Sequence, residues 1–299
     1  MTVSTPWSHR WMLGWALLLS LSLLGCRVSV SVGDHPAEDL EDDSDTPHYQ
    51  PPPDVSWQLQ LQGAPQLAIA ASLYELDLFD TSAQTIATLH SQHRKLLCYF
   101  SAGSLEEWRP DASRLPSEVL GAPLAGWPGE VLGAPLAGWP GEVWLDIRAG
   151  EVRELMRSRL QLAHDKGCDG VDPDNVDGYL QNSGFALSAA DQLDYNRFLA
   201  REAHALGLTI ALKNDLLQIP ALVSSFDLAI NEQCHAYQEC QLLTPFVQAG
   251  KPVLNIEYDE RFMVDAQSQQ QLCDEAEQLG LQTQVLTPEL DGTIRLRCF

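Results

Sequence analysis

Short apolar runs alternate with helical patterns throughout residues 56–299, and no other feature of the sequence limits the possible folds as strongly. Runs that suit buried strands lie at 57–61, 67–70 (leading into 74–77), 95–100, 142–147, 168–172, 208–212, 226–230, 252–256 and 281–286. Between them, Gly167 is expected to end one helix, Ser188 and Asp191 to begin another, and Gly280 to end a third. Strands that alternate with helices typically form a parallel sheet, so the sequence predicts an α/β fold. About eight such strands over this length predict a (β/α)8 TIM barrel in a single domain. A doubly wound open sheet is the alternative, although no G-x-G-x-x-G motif marks a dinucleotide site and no cofactor is expected.

The run at 168–172 leads directly into a cluster of polar side chains. Proline cannot donate a hydrogen bond to a sheet, so Pro173 is expected to end this strand. The residues that crowd the strand exit are Asp172, Asp174, Asn175 and Asp177. Ligands bind at the carboxyl ends of parallel barrel strands. We therefore predict that this segment forms the floor of an active site.

Paired carboxylates are the chemistry that the sequence offers. The chain has no Ser-His-Asp arrangement and no G-x-S-x-G motif, which favours glycoside hydrolysis, where one carboxylate attacks and another protonates the leaving oxygen. We predict Asp172 or Asp174 as the nucleophile, because Asn175 and Lys213 nearby would favour the ionised form. Glu232 is the predicted acid/base, because it follows an apolar run whose burial would help it hold a proton. The predicted substrate-binding residues are Tyr99, Asp146, Asn175, Lys213, Asn214, Glu257 and Tyr258.

The N-terminus has the pattern of a lipoprotein signal. Arg10 precedes an apolar run at 11–24, which is short for a membrane span and typical of a signal-peptide core. It ends Leu23-Leu24-Gly25-Cys26, similar to a bacterial lipobox, so we predict a signal peptide over 1–25 and lipidation of Cys26. Residues 26–54 are acidic and then proline-rich, which predicts a disordered tether, and the hydrolase domain is expected over 55–299. The protein is expected to be exported to the bacterial cell envelope and anchored at the outer membrane or cell surface.

The formal net charge of −23 excludes nucleic acid as an expected partner, because its binding proteins need a basic patch. Such acidity would attract a cationic ligand, or it simply keeps the protein soluble. We expect a monomer.

Export makes disulfides possible, and the chain has seven cysteines. Besides Cys26, we predict the pairs Cys234–Cys240 and Cys273–Cys298. Cys98 and Cys168 lie in predicted strands and are expected to be reduced core residues. No pair shows the spacing of a metal site, so no metal is expected.

One segment is duplicated. Residues Glu118–Gly129 are followed by an identical copy, Glu130–Gly141. Its glycine and proline content predicts a loop, from which one copy bulges out without a part in the chemistry.

Seven blocks of this sequence occur in the order typical of one enzyme family. They are Trp57–Gln60, Cys98–Gly103, Trp139–Asp146, Gly170–Asp177, Leu212–Asn214, Asn231–Cys234 and Glu257–Tyr258. In these blocks the chain resembles glycoside hydrolase family 114, from about residue 57 to the C-terminus.

The resemblance implies a (β/α)8 barrel with endo-α-1,4-polygalactosaminidase activity, which cleaves galactosamine-rich polysaccharide with retention. It implies an Asp on the fourth strand, which maps to Asp172 or Asp174, and a Glu on the sixth, which maps to Glu232. The deacetylated substrate would be cationic. Two alternatives are a carbohydrate-binding lipoprotein without activity on the same barrel, and a metal-dependent hydrolase that uses the Asp cluster.

Overall fold

The computed structural model describes residues 47–123 and 141–299. The strands, in chain order, are β1 (Trp57–Gln60), β2 (Leu73–Asp77), β3 (Lys95–Ser101), β4 (Ser104–Glu106), β5 (Leu120–Pro123), β6 (Glu142–Leu145), β7 (Gly170–Asp174), β8 (Thr209–Lys213), β9 (Leu228–Glu232), β10 (Val253–Glu257), β11 (Gln282–Leu286) and β12 (Ile294–Arg297). The α-helices are α1 (Ala83–Ser91), α2 (Gly150–Lys166), α3 (Ala189–Ala205), α4 (Ile219–Leu222), α5 (Cys234–Tyr237), α6 (Thr244–Gln248), α7 (Glu260–Val264) and α8 (Ala266–Leu279). Short 3-10 helices lie at Ala112–Arg114, Ser117–Val119, Gly178–Leu180, Leu216–Gln218 and Cys240–Leu243.

The main sheet has nine strands in the order β1-β2-β3-β7-β8-β9-β10-β11-β12. Neighbouring strands from β1 to β11 are parallel, and β12 runs antiparallel to β11. The sheet is curled, because side chains link its two ends: Trp57 Nε1 donates to the Gln282 carbonyl at 3.1 Å, and Arg297 donates to Gln58 Oε1 at 2.9 Å. The strand order follows the chain without reversal in the described residues, unlike that of a doubly wound sheet. The prediction of an α/β fold with a parallel sheet is confirmed.

The sheet has two apolar faces. On the inner face of the curl, Trp57, Leu73, Leu97, Ile230 and Leu254 pack together with their neighbours. On the outer face, alternate residues of the same strands pack against the helices in a second cluster. Successive side chains of a strand point to opposite faces, so the face of every residue near a strand end follows from these clusters.

Three expectations about strands are wrong. Residues 142–147 do not join the main sheet; β6 instead pairs antiparallel with β4 and β5 in a separate three-stranded sheet. Residues 67–70 form a turn. β7 does not end before Pro173 but continues to Asp174, because it stays paired with β3, where Pro173 lies opposite Phe100.

The helix boundaries follow their sequence signals. Gly167 and Gly280 end α2 and α8 in the left-handed conformation, with φ of 89° and 72°. Ser188 and Asp191 form a capping box at the start of α3, since each side chain accepts a hydrogen bond from the other residue's backbone N–H. These predictions are confirmed.

Three disulfides are present in the described residues. Cys234–Cys240 and Cys273–Cys298 are bonded, as predicted. Cys98 and Cys168 are also bonded, which corrects the expectation that they are reduced. The register of β3 and β7 places Cys98 opposite Val171 and brings the two cysteine Cα atoms to 6.0 Å, within the range for a disulfide.

Several predictions fall outside the described residues. These are the signal peptide over 1–25, lipidation of Cys26, the tether as far as residue 46 and the duplicated segment over 124–140. Residues 120–123, which belong to the first copy of the duplicated segment, form strand β5, so the prediction of a loop is wrong for these residues. Residues 47–54, assigned above to the tether, contact the domain; Thr209 Oγ1, for example, donates to the Tyr49 carbonyl. Among the described helices, none combines the length and apolar character needed to cross a membrane.

Candidate active site

Three carboxylates surround one ammonium group at the carboxyl ends of adjacent strands. Lys213 Nζ lies 3.2 Å from Asp174 Oδ2, 3.7 Å from Asp172 Oδ2 and 3.7 Å from Glu232 Oε2. The alternation of side chains explains the convergence, because all four residues point to the inner face of β7, β8 and β9. Burial alone would lower the pKa of Lys213, but Asp174, Glu232 and Asp172 outweigh it and hold that pKa well above its ordinary value. The lysine is therefore a permanent cation at the centre of the cluster.

Glu232 is held by neutral donors on both sides. The Tyr258 hydroxyl donates to Oε1 at 2.7 Å, and Asn214 Nδ2 donates to Oε2 at 3.2 Å. Asn214 also accepts the Glu232 backbone N–H at 3.0 Å, from a left-handed conformation with φ of 49° that asparagine tolerates better than most residues. Burial raises the pKa of Tyr258 well above its ordinary value, so its hydroxyl remains a donor.

Asp174 has an equivalent set of contacts. The Tyr99 hydroxyl donates to Oδ2 at 3.0 Å, and the Asn175 backbone N–H donates to Oδ1 at 2.7 Å. Asn175 has φ of 60°, and its carbonyl lies so close to Gly103 that a Cβ there would stand 1.6 Å from it. The close approach of these two loops therefore requires glycine at 103.

The two aspartates differ in access. The side chains of Asp174 and Glu232 are each 12% exposed, whereas that of Asp172 is 0% exposed. Asp174 and Glu232 therefore reach solvent at the carboxyl ends of the strands, a part of the surface called the cleft below, and Asp172 does not.

Glu75, which sequence reasoning missed, forms a buried acid pair with Asp172. Its side chain is inward-facing on β2, two residues after Leu73, and only 1% exposed. Burial, reinforced by the charge of Asp172, raises the pKa of Glu75 well above its ordinary value. Burial also raises the pKa of Asp172, to about 6, although Lys213 opposes the shift. The alternation of Leu73, Glu75 and Asp77 along β2 was the sequence signal for this residue.

Asn175 also belongs to a polar network that joins the small sheet to the main one. Its Nδ2 lies 2.8 Å from Ser101 Oγ and 3.2 Å from Glu142 Oε1, and Ser104 Oγ donates to the same Glu142 oxygen. Burial raises the pKa of Glu142 to about 7. Glu142, at the start of β6, was also missed, because that strand was expected to lie in the main sheet.

Two predicted substrate-binding residues lie elsewhere. Asp146 follows β6 outside the main sheet and pairs with Arg148 at 2.8 Å, a hydrogen-bonded contact that lowers the pKa of Asp146. Glu257 points to the outer face, is fully buried, and accepts the His235 backbone N–H at 2.9 Å. Burial raises the pKa of Glu257 to about 7. Glu257 was predicted to bind substrate together with the other residues at the strand ends; the expectation that it lies with them is wrong, because its position in β10 is one residue out of phase with the inner face.

The remaining predicted residues are brought together at one end of the inner face. They are Tyr99, Asp172, Asp174, Asn175, Lys213, Asn214, Glu232 and Tyr258. The arrangement offers two accessible carboxylates, a fixed cation and two hydroxyl donors, which suits acid–base and nucleophilic chemistry on a glycosidic bond.

Comparisons with known proteins agree with this chemistry. The family model described as glycoside-hydrolase family GH114 matches residues 39–298. The crystal structure of Aspergillus fumigatus Ega3 in complex with galactosamine is 39% identical, covers 83% of this chain and 97% of its own, and superposes with a TM-score of 0.75. The glycoside hydrolase domain of PelA from Pseudomonas aeruginosa is 17% identical, with coverage of 80% and 97% and a TM-score of 0.60, a likeness of fold. A search of curated protein sequences returned no significant match.

Proposed function

Because this chain belongs to glycoside-hydrolase family GH114, we propose that it is a retaining, endo-acting hydrolase of galactosamine-containing polysaccharide, with Asp174 as nucleophile and Glu232 as acid/base. One observation carries the proposal. Asp174 and Glu232 are the two members of the carboxylate cluster open to the cleft, and Lys213 joins them.

Access favours Asp174 over Asp172 as the nucleophile. A nucleophile must bring a carboxylate oxygen into contact with the anomeric carbon, and both side-chain oxygens of Asp172 are buried. Asp172 instead lies 3.7 Å from Lys213 Nζ, and its charge acts on the buried Glu75. We assign Asp172 to the positioning of the lysine, and Asp174 to the attack.

The distances to Lys213 support retention of configuration. The separation of Asp174 Oδ2 and Glu232 Oε2 cannot exceed the sum of 3.2 and 3.7 Å. Retaining enzymes place their carboxyl groups about 5–5.5 Å apart and inverting enzymes about 6.5–9.5 Å apart. The largest separation that these distances allow therefore includes the whole retaining range and only the lowest part of the inverting range.

The reaction then runs in two steps. Asp174 attacks the anomeric carbon and forms a glycosyl-enzyme ester, while Glu232 gives its proton to the departing glycosidic oxygen. Glu232, now a carboxylate, takes a proton from water, which attacks the same carbon and releases Asp174. Tyr258 and Asn214 hold the Glu232 carboxyl group in place through both steps.

The substrate class follows from the 39%-identical relative that was crystallised with galactosamine. A deacetylated galactosamine polymer is cationic, and the net charge of −23 suits its attraction to this protein. Exposed Trp108, Leu180 and Tyr237 lie in the segments that follow β4, β7 and β9, as expected for a surface that holds several sugar units of a long chain.

The test is the release of reducing ends from deacetylated and acetylated galactosamine polymers, with the anomeric form of the first product followed by NMR. Wild type should release the α-anomer first. Glu232→Gln and Asp174→Asn should each lose at least about 100-fold in rate, since each removes a role in the chemistry. Glu257→Gln serves as the control, because Glu257 is also a glutamate at the end of a strand but faces away from the cleft. Full activity of Glu232→Gln, or β-anomer as the first product, would contradict the proposal.

We also propose that the sheet closes into a (β/α)8 barrel and that Cys26 carries the lipid anchor that places a monomeric enzyme at the bacterial cell surface or outer membrane. The contacts of Trp57 with β11 support closure, and the Leu23–Cys26 motif supports lipidation. Cys26→Ser should move the protein from the membrane fraction to the soluble fraction; an unchanged distribution would argue against the anchor.

A further inference from the structure

Two histidines and an aspartate meet far from the catalytic cleft. Asp227 directly precedes β9, whereas Glu232 ends it, and five residues of strand at about 3.3 Å each separate the two by about 17 Å. His204 lies in the last turn of α3, and His48 lies in the N-terminal segment ahead of β1. The cluster therefore sits at the amino ends of the strands, opposite the proposed active site.

The ring nitrogens converge on one carboxylate. His48 Nε2 lies 3.0 Å from Asp227 Oδ1, and His204 Nε2 lies 3.0 Å from Asp227 Oδ2. The two imidazole rings stack with centroids 4.5 Å apart and planes inclined by 20°. One ligand atom from each of the three residues lies within 4.8 Å of the others. Each Nε2 is thus aimed into the same small space beside the carboxylate.

We propose that His48, His204 and Asp227 bind a divalent transition metal ion of the Zn²⁺ type, which fastens the N-terminal segment to the domain. Two imidazole nitrogens and one carboxylate oxygen are a donor set that Zn²⁺ uses widely. Binding would take each histidine as the neutral ring with its proton on Nδ1, so that Nε2 presents a lone pair to the metal. A small shift of the rings toward each other would bring both nitrogens within about 2.1 Å of the ion.

The surroundings of Asp227 suit a metal ligand. The carboxylate is 6% exposed, and the Ile210 backbone N–H donates to Oδ2 at 2.9 Å, which fixes its orientation. The nearby ammonium of Lys251 is held by the carbonyls of Val223 and Phe226.

Gln50 offers a further ligand. Its side-chain amide lies 3.0 Å from Asp227 Oδ1 and beside His48 Nε2. Half a turn of the amide group would present its oxygen to an ion bound by the other three residues, and water would fill any remaining position. His48 and Gln50 both belong to the segment that leads toward the predicted tether, so a bound metal would clamp that segment to α3 and β9.

The test is titration of the full-length chain in detergent with ZnCl₂ after treatment with a chelator, followed by calorimetry and by thermal unfolding. Wild type should bind one equivalent and unfold at a higher temperature with zinc than without. Mutation of a residue that only hydrogen-bonds to a metal ligand typically costs 10–100-fold in metal affinity. His204→Gln and His48→Gln remove ligands themselves, so each should weaken Zn²⁺ binding by more than about 100-fold. Co²⁺ in place of Zn²⁺ should give a visible absorption band that both variants lose.

His90→Gln is the matched control, because His90 pairs with Asp169 at 2.8 Å and, within residues 47–123 and 141–299, no second histidine joins that pair. It should bind Zn²⁺ like wild type. Polymer cleavage without added metal should be unchanged in all three variants, which shows that they fold and keeps this test independent of the proposed function. Failure of wild type to bind Zn²⁺, or binding by both cluster variants with wild-type affinity, would overturn the proposal and leave a hydrogen-bonded clasp.

Discussion

Lys213 is the group on which the catalytic cluster depends, and its replacement by methionine tests that dependence. The lysine is 4% exposed and touches Asp172, Asp174 and Glu232. Methionine keeps most of the volume of the side chain but removes the charge. Three carboxylates would then share a cavity with no cation among them.

The expected cost is about 3–5 kcal/mol of unfolding free energy at pH 8, the range observed when one partner of a buried ion pair is removed. The pKa of Asp172 points in the same direction. It is already raised from 3.8 to about 6 with Lys213 present, and a rise of this size corresponds to about 3 kcal/mol of preference for the neutral form. Without the lysine the preference grows. For a domain of this size the loss corresponds to a fall in Tm of roughly 10 °C.

The sign of the pH dependence distinguishes this mechanism from lost packing. A carboxyl whose pKa is raised in the folded state favours folding below its unfolded value of 3.8, and that contribution is lost as the pH rises through the folded value of about 6. The deficit of Lys213→Met should therefore shrink when the carboxyl groups take up protons, and be smaller at pH 5 than at pH 8.

The assay is urea unfolding followed by tryptophan fluorescence at both pH values. Lys251→Met is the control, because Lys251 is a partly buried lysine whose ammonium contacts two backbone carbonyls and has Asp227 near it in place of three carboxylates. Its deficit should be equal at pH 5 and pH 8. A Lys213→Met variant as stable as wild type at pH 8, or one whose deficit ignores pH, would refute the reasoning.

Three further predictions concern other parts of the domain. Burial raises the pKa of Asp215 to about 8, so its carboxyl group stabilises the fold below the unfolded pKa of 3.8 and loses that contribution as the pH rises to 8. Asp215→Asn should therefore make Tm fall less steeply between these pH values. An unchanged slope of Tm against pH would contradict this role of Asp215. Loss of the Cys98–Cys168 disulfide, which closes a loop of 70 residues, should lower the free energy of unfolding by about 4 kcal/mol, and loss of Cys234–Cys240, which closes a loop of 6, by about 2 kcal/mol. Urea unfolding of variants with both cysteines of a pair replaced by alanine checks this order. Equal losses would contradict the loop-length argument. Added salt should lower kcat/KM on deacetylated polymer more than on acetylated polymer, since it screens the attraction of a cationic chain. Equal effects on the two polymers would show that charge attraction does not contribute to substrate binding.

Much of the candidate site could be predicted because parallel strands present their carboxyl ends together. Asp172, Asp174, Lys213 and Glu232 each follow an apolar run, and adjacency of the strands was enough to bring them into contact. The choice between the aspartates was open, since it depends on which oxygens reach solvent.

The misplaced residues have a common cause. Glu257 follows a predicted strand as Glu232 does, yet it faces outward because it is one residue out of phase with the inner face. Asp146 follows an apolar run that pairs with β4 and β5 and not with the main sheet. An apolar run shows that a strand is buried, but not which sheet it joins.

The sequence by itself determined the local features of this protein: the alternation of strands and helices, the ends of α2, α3 and α8, and the supply of carboxylates at strand exits. These features depend on the periodicity of apolar residues and on the conformations of glycine and capping side chains, which act over a few positions. Only the tertiary structure decided the pairing of Cys98 with Cys168, the burial of Glu75 near Asp172, and the meeting of His48 with His204 and Asp227. Each of these joins groups that are distant along the chain, so each depends on strand register and burial, which no local pattern encodes.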